Sequence, residues 1–252
     1  QELKKHDEAI KRLVKAVAND EEHYKARLAL AESYLELKQY DQVLTIAIKL
    51  AGQPDTAAEG HYLRGVVALA KNQNGQALLA LTKSTRADAA NATAWLALAY
   101  TYELMGQAEK VRSALLGAFE GDPKSYEAAY RIGEFDYDSG NYTDAVVGLE
   151  RAVQLRPDEY DARFKLADAQ YRSGLYKQAM GHAQTSAKLN TESKWPLVLL
   201  ANLSNKQGKT GKAIDYIKQA MKKEKNSADL HIRLGELYVS NGIYDLAKTT
   251  LE

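Results

Sequence analysis

A period of 34 residues runs through the chain and limits its fold more than any other feature. With repeats begun at residues 24, 58, 92, 126, 160, 194 and 228, the register needs no insertion; residues 1–23 form the tail of an earlier repeat and 228–252 an unfinished one. The eighth position reads Ala31, Gly65, Ala99, Gly133, Ala167, Ala201 and Gly235, small at each occurrence. The twentieth reads Ala9, Val43, Ala77, Val111, Ala145, Ala179, Ala213 and Ala247. Two helices approach closely only where no bulky side chain separates their backbones, so both columns predict helix crossing points. Larger apolar residues at position seven (Leu30, Leu98, Ile132, Leu166, Leu200, Leu234), and Leu, Ile or Ala at position 24, fill the space beside them.

Breaks separate the two halves of each repeat. Gly106, Gly140, Gly174, Gly208 and Gly242 all fall at position fifteen, where a glycine can take the left-handed conformation that ends a helix. Near the repeat ends, Pro54, Pro123 and Pro157 stop helices, and Asn91, Ser125, Ser193 and Ser227 stand where they can cap the next ones. Each repeat reads as helix, tight turn, helix, short loop. No stretch shows the period-two alternation of a strand. A bundle or coiled coil would show heptads without these regular breaks.

The 34-residue length, the small crossing residues, the turn glycine and the segments RIGEFDYDSGNYTDAVVGLERAVQLRP and KLADAQYRSGLYKQAMGHAQTSAKLN resemble the tetratricopeptide repeat along the whole chain. The resemblance implies an all-α fold, a right-handed superhelical α-solenoid of 34-residue helix-turn-helix repeats. It covers one domain, residues 1–252: a partial repeat 1–23, full repeats 24–57, 58–91, 92–125, 126–159, 160–193 and 194–227, and a partial repeat 228–252. The opening QELKKHDEAI, with neither a signal peptide nor a start methionine, reads as a cut from a longer protein. Repeat 58–91 departs most from the pattern, with Arg64 at position seven and a turn over Asn72–Gly75. Position four, often Trp in the family, is Trp only at Trp95.

Hairpins of this kind bury their apolar faces only by stacking, so function belongs to the surfaces of the array. By resemblance, positions 2, 5, 9, 12 and 13 of each first helix face a concave groove. In the three central repeats these positions collect Tyr100, Tyr130, Tyr137, Phe164 and Tyr171 with Glu103, Glu127, Glu134, Asp138, Asp161 and Asp168, against the single base Arg172. Glu32, Glu36 and Tyr62 extend the same face. Rigid rings flanked by charge make binding surfaces, since a ring gives contact area with little rotamer entropy to lose. Packing explains any one of the tyrosines, and Glu127 and Asp161 also oppose the dipole of their helices; as a cluster they read as an acidic, tyrosine-lined site for a basic or polar protein segment.

Other chemistry lacks support. The balance of 34 basic and 33 acidic residues gives no field that would recruit nucleic acid. No apolar run approaches the roughly 20 residues of a membrane helix. His6, His23, His61, His182 and His231 stand far apart, without the spacing of a metal site, and no cofactor is implied. There is no phosphate loop, no GxGxxG and no GxSxG. Glu134 and Asp138, at i and i+4 on an open helix face, stay ionised and give no acid–base pair, so the chain is read as non-enzymatic. The lysines of Lys218–Lys225 close a helix and suit its dipole. Positions five and nine (Tyr130 and Glu134, Phe164 and Asp168) lack the basic carboxylate clamp of chaperone-tail binders, and position six lacks an asparagine ladder.

The reading is a scaffold that holds a protein or peptide. Its rivals are a regulatory or targeting arm of an enzyme whose catalytic domain lies outside the chain, and an assembly module that self-associates through solenoid ends. The absence of cysteine suits a bacterial cytoplasm or periplasm equally. The compact repeats, with frequent Lys and Asn, resemble bacterial scaffolds of secretion, pilus or exopolysaccharide machinery.

Overall fold

The computed structural model describes residues 2–19 and 23–251, with the side chains of residues 2–9 and 19 outside the description. The readings made for His6 and Ala9 therefore lie outside the described side chains. The described residues form fifteen α-helices and one short 3-10 turn, Pro54–Thr56, and no strand occurs among them. The helices are α1 (Glu2–Asn19), α2 (Tyr24–Glu36), α3 (Tyr40–Ala51), α4 (Ala57–Ala70), α5 (Asn74–Ala87), α6 (Ala92–Leu104), α7 (Ala108–Gly121) and α8 (Tyr126–Asp138). They continue as α9 (Tyr142–Leu155), α10 (Tyr160–Arg172), α11 (Tyr176–Leu189), α12 (Trp195–Lys206), α13 (Thr210–Lys223), α14 (Ala228–Ser240) and α15 (Tyr244–Leu251). This is the expected all-α fold of helical hairpins.

One turn recurs with the period of the sequence. The amide of position sixteen donates to the carbonyl five residues back at 2.8–2.9 Å: Gln39 to Tyr34, Gln73 to Ala68, Gln107 to Tyr102, Asn141 to Asp136, Leu175 to Gln170, Lys209 to Ser204 and Ile243 to Tyr238. This six-to-one bond closes the first helix of each repeat and needs a left-handed residue between donor and helix. Five repeats meet that need with the expected glycines, at φ of 67 to 80°. The other two do so with Lys38 at φ 55° and Asn72 at φ 56°. The turn of repeat 58–91 is thus built at Asn72, and Gly75 sits inside α5. A lysine in this region carries a Cβ clash that glycine avoids. Lys38→Gly is therefore expected to stabilise the fold by about 0.5–1 kcal/mol, after allowing for glycine's freer unfolded chain. Thermal melts should show the rise, with a smaller one for Asn72→Gly; a lower melting temperature for Lys38→Gly would contradict this reading of the turn.

Two of the four expected caps are made by side chains: Asn91 accepts from the Ala94 amide at 3.0 Å and Ser125 from that of Ala128 at 3.2 Å. Ser193 stands one residue before the N-cap, Lys194, and accepts from the Trp195 amide at 3.3 Å. Ser227 makes no side-chain cap; its hydroxyl instead lies 3.5 Å from the ammonium of Lys194, the first residue of the same repeat, while His23 Nδ1 caps α2 at 3.3 Å.

The chain forms two compact halves, Gln1–Ala128 and Ala129–Glu252. In the first, Ala31, Val43, Ala47 and Leu50 pack with Leu63 and Val67 as one buried cluster. A glycine outside the two small columns brings helices together here: a Cβ on Gly60 would stand 2.3 Å from the Ala51 amide nitrogen, so α3 and α4 touch backbone to backbone. Gly117 leaves room for the ring of Trp95, whose indole donates to the Ala89 carbonyl at 3.0 Å. In the second half, Ala167, Ala179, Ala183, Leu199, Leu200 and Leu203 form one cluster, and Ala201, Ala213, Ile217, Leu230 and Leu234 belong to the next. Gly133 and Gly148 make the closest crossing there, since a Cβ on either would lie 2.7 Å from a backbone nitrogen of the facing helix. Burial of these apolar faces, at about 25 cal/mol per Å², is what hairpin stacking contributes.

Candidate functional site

In the second half, the first helices of successive repeats carry a connected polar and aromatic face. At its centre, the Tyr137 hydroxyl of α8 donates to Asp168 Oδ2 of α10. Arg172, one turn beyond Asp168, donates from Nε to the same oxygen at 2.6 Å and from Nη1 to the Tyr142 hydroxyl at 3.1 Å. The Arg172 guanidinium lies 5.1 Å from the ring centre of Tyr142 and 5.9 Å from that of Tyr137, and the two rings meet edge-on at 5.6 Å. Burial first, and then the hydrogen bond to Asp168, push the Tyr137 hydroxyl far above the usual tyrosine range. It stays a proton donor at any physiological pH. The hydrogen bond to Asp168 likewise raises Arg172 above its ordinary value, against the opposing effect of burial.

Next to this centre, Lys165 Nζ lies 2.8 Å from Glu134 Oε1, 3.7 Å from Asp138 Oδ1 and 5.5 Å from the Tyr137 ring centre. The Tyr130 hydroxyl donates to Glu134 Oε1 at 2.9 Å. Burial alone would raise the Glu134 carboxyl; the bonds from Lys165 and Tyr130 outweigh it and hold the group below its usual range. Lys165 corrects the expectation of one base among the groove acids. It sits at position six, outside the positions expected to face the groove, and its long stem lets the ammonium reach the face from there. Glu134, Asp138 and Asp168 are thus each within reach of a cation of the face, three carboxylates sharing Lys165 and Arg172.

Tyr137, Phe164, Asp168 and Arg172 line a cleft of ≈ 320 Å³ together with Trp195, Val198, Leu199, Asn202 and Arg233. All nine residues come from first helices: α8, α10, α12 and α14. Phe164 is fixed by stacking on Tyr160 at 5.9 Å, and the Tyr160 hydroxyl bonds Ser193 at 2.8 Å. Trp195 is 52% exposed and has the Lys194 ammonium 4.7 Å from its ring centre. Arg233 is held by Asp229 at 2.8 Å.

The ten residues singled out from the sequence divide into three groups. Tyr130, Glu134, Tyr137, Asp138, Phe164, Asp168 and Arg172 share the face just described. Tyr171 is half-buried against the cluster around Ala167 and lies 5.7 Å from Tyr176, outside the lining of the cleft. Tyr100, 46% exposed, and Glu103 lie on α6 of the first half. Sequence reasoning missed Lys165, Trp195, Asn202 and Arg233. Trp195, at position two of its repeat, carried a usable signal, a large ring on a groove column. Among the described residues, no group of His, Asp or Glu could hold a metal ion, and no helix is long and apolar enough to cross a membrane.

A family model described as tetratricopeptide repeat matches residues 2–65 and 205–252, and one described as anaphase-promoting complex, cyclosome, subunit 3 matches residues 138–220. No curated protein matches the chain. Among solved structures, MamA of Desulfovibrio magneticus RS-1 aligns with a TM-score of 0.59 at 18% identity, over 63% of this chain and 90% of that one. PilF of Pseudomonas aeruginosa aligns with a TM-score of 0.54 at 21% identity, over 78% of this chain and 90% of that one. A structure of Naa15/Naa10 bound to HypK-THB aligns with a TM-score of 0.70 at 14% identity, over 90% of this chain and 35% of that one. At these identities the likeness is one of fold.

Proposed function

We propose that this chain of helical hairpins, matched by a tetratricopeptide-repeat model over residues 2–65 and 205–252, is a non-enzymatic scaffold holding a partner segment against the first-helix face of its second half. The observation that carries this reading is the ≈ 320 Å³ cleft lined by first helices alone, with Tyr137, Phe164 and Trp195 as rings and Asp168, Arg172, Asn202 and Arg233 as polar groups. Rings held by neighbours lose little freedom on binding, and polar side chains between them select register. Because Glu134 and Asp168 are already neutralised by Lys165 and Arg172, the segment that fits is polar and aromatic-compatible more than strongly basic. Tyr130, Glu134 and Asp138 extend the face beyond the cleft. Naa15/Naa10, similar in fold, has a protein partner bound, which is consistent with this use. We place the scaffold in a bacterial secretion, pilus or exopolysaccharide assembly, on composition alone.

The test is partner binding by variants that alter hydrogen bonding in the cleft and leave its packing. For Tyr137→Phe combined with Asn202→Ala, the captured partner should bind roughly fivefold more weakly, the effect of about one lost net hydrogen bond. Circular dichroism should stay that of wild type. Unchanged affinity would remove the cleft from the binding surface.

A further inference from the structure

A second cleft lies in the first half, and it exists because one repeat breaks the packing rule of the others. At position seven, Leu30, Leu98, Ile132, Leu166, Leu200 and Leu234 are all buried. Repeat 58–91 has Arg64 there, and Arg64 is exposed. Where the other repeats have an apolar filler, this one leaves a cleft of ≈ 440 Å³ between α3, α4 and α5. Leu44, Ile48 and Leu79 give it an apolar wall, and Arg64, Lys71 and Lys83 give it three cations. Ile48 at 65% and Leu79 at 62% are the most exposed large apolar side chains among the described residues of the first half.

Three further observations fix the chemistry of an occupant. No carboxylate lines the cleft, and the one acid among the described residues that pairs with a lining cation, Asp41 with Lys71 at 3.7 Å, is itself 94% exposed. His61 Nδ1 is shielded from solvent and has no hydrogen-bond partner among the described residues. Burial, followed by the charges of Arg64 and Lys83, lowers the His61 pKa, so the positive field of those two side chains reaches the wall of the cleft. His61, Arg64 and Ala68 follow at i, i+3 and i+7 on one stripe of α4, continued by its C-cap Lys71 and set off from Tyr62 and Val66 on the groove columns. The stripe is therefore separate from the face proposed above to hold a partner.

We infer that this cleft is a second docking site, for an acidic, leucine-bearing segment of another protein, whose apolar side chain fills the space between Leu44, Ile48 and Leu79 while its carboxylates meet Arg64 and Lys83. Apolar contact gives the segment its hold and charge gives its sign. Unlike the cleft of the second half, whose charges are paired internally, this one presents cations that lack carboxylates along its lining.

The probe is a fluorescein-labelled helical peptide of leucine and glutamate at heptad spacing, titrated into the whole chain by fluorescence anisotropy beside two twins, one with lysine for glutamate and one with alanine for leucine. Saturable binding is expected for the first, with both twins at least tenfold weaker. Arg64→Glu with Lys83→Glu should weaken the leucine–glutamate peptide at least tenfold. Arg64→Leu restores the residue type of the other repeats; it should abolish binding while the melting temperature holds or rises, which separates loss of the site from loss of fold. Phe164→Ala with Trp195→Ala should leave this binding unchanged, so failure here and failure of the first-helix face can be told apart. Absence of saturable binding, equal binding by either twin, or indifference to Arg64→Glu with Lys83→Glu would overturn the inference.

Discussion

Gly60→Ala is expected to destabilise the first half by about 3 kcal/mol, at the upper end of what overpacking costs. The added methyl would stand 2.3 Å from the Ala51 nitrogen and 2.7 Å from the Ala47 carbonyl oxygen. Both are backbone atoms of α3 within a regular helix, so no rotamer change relieves the contact; the helices must separate. Separation would also loosen Leu50 and Leu63, both buried in the same cluster. The same substitution at Gly181, inside α11, meets nothing within 4 Å. There alanine only removes glycine's conformational penalty and should stabilise by about 0.5–1 kcal/mol. Denaturant titrations of the two variants should thus move in opposite directions. A Gly60→Ala midpoint equal to wild type would show that the crossing of α3 and α4 is not close-packed.

The largest effect on binding is expected from Phe164→Ala combined with Trp195→Ala. Rings that anchor a partner lose about 2 kcal/mol or more when truncated, near a 30-fold weakening. The two contribute differently. Trp195 is half exposed, so Trp195→Ala should weaken binding with little change in melting. Phe164 packs against the cluster of Ala167 and Leu199 as well as lining the cleft, so Phe164→Ala should lower both. A partner that binds the double variant as well as wild type would exclude the rings as anchors.

The architecture was open to reading because its determinants recur. A small residue at position eight or a glycine at position fifteen carries a signal that the period repeats, and one exception does not hide the register. The exceptions are instructive. Lys38 and Asn72 hold the left-handed turn without glycine because the six-to-one hydrogen bond and the packed hairpin impose it. Ser227 stands at a capping position yet makes no side-chain cap; its hydroxyl instead meets Lys194, at the other end of the same repeat and 33 residues away in sequence.

The candidate site was legible only in part, for a related reason. A column gives the direction of a Cβ, and long side chains do not end where their Cβ points. Lys165 reaches the groove acids from position six, whereas Tyr171, on a groove column, does not line the cleft. The pairing of Tyr137 with Asp168 joins residues 31 apart and depends on how two first helices abut. Arg64 was visible as a departure from the repeat, but the cleft it leaves depends on Ile48 and Leu79 of two other helices.

The most direct test of the scaffold reading is site-resolved photo-crosslinking in an extract of the source cells. A benzophenone side chain is placed at Asn202, in the first-helix cleft, and in a second protein at Val147, which is 62% exposed on the second helix α9. The account predicts one dominant protein adduct from position 202, lost when Phe164→Ala and Trp195→Ala are added, and no such adduct from position 147. The same adduct from position 147 with none from position 202 would contradict it.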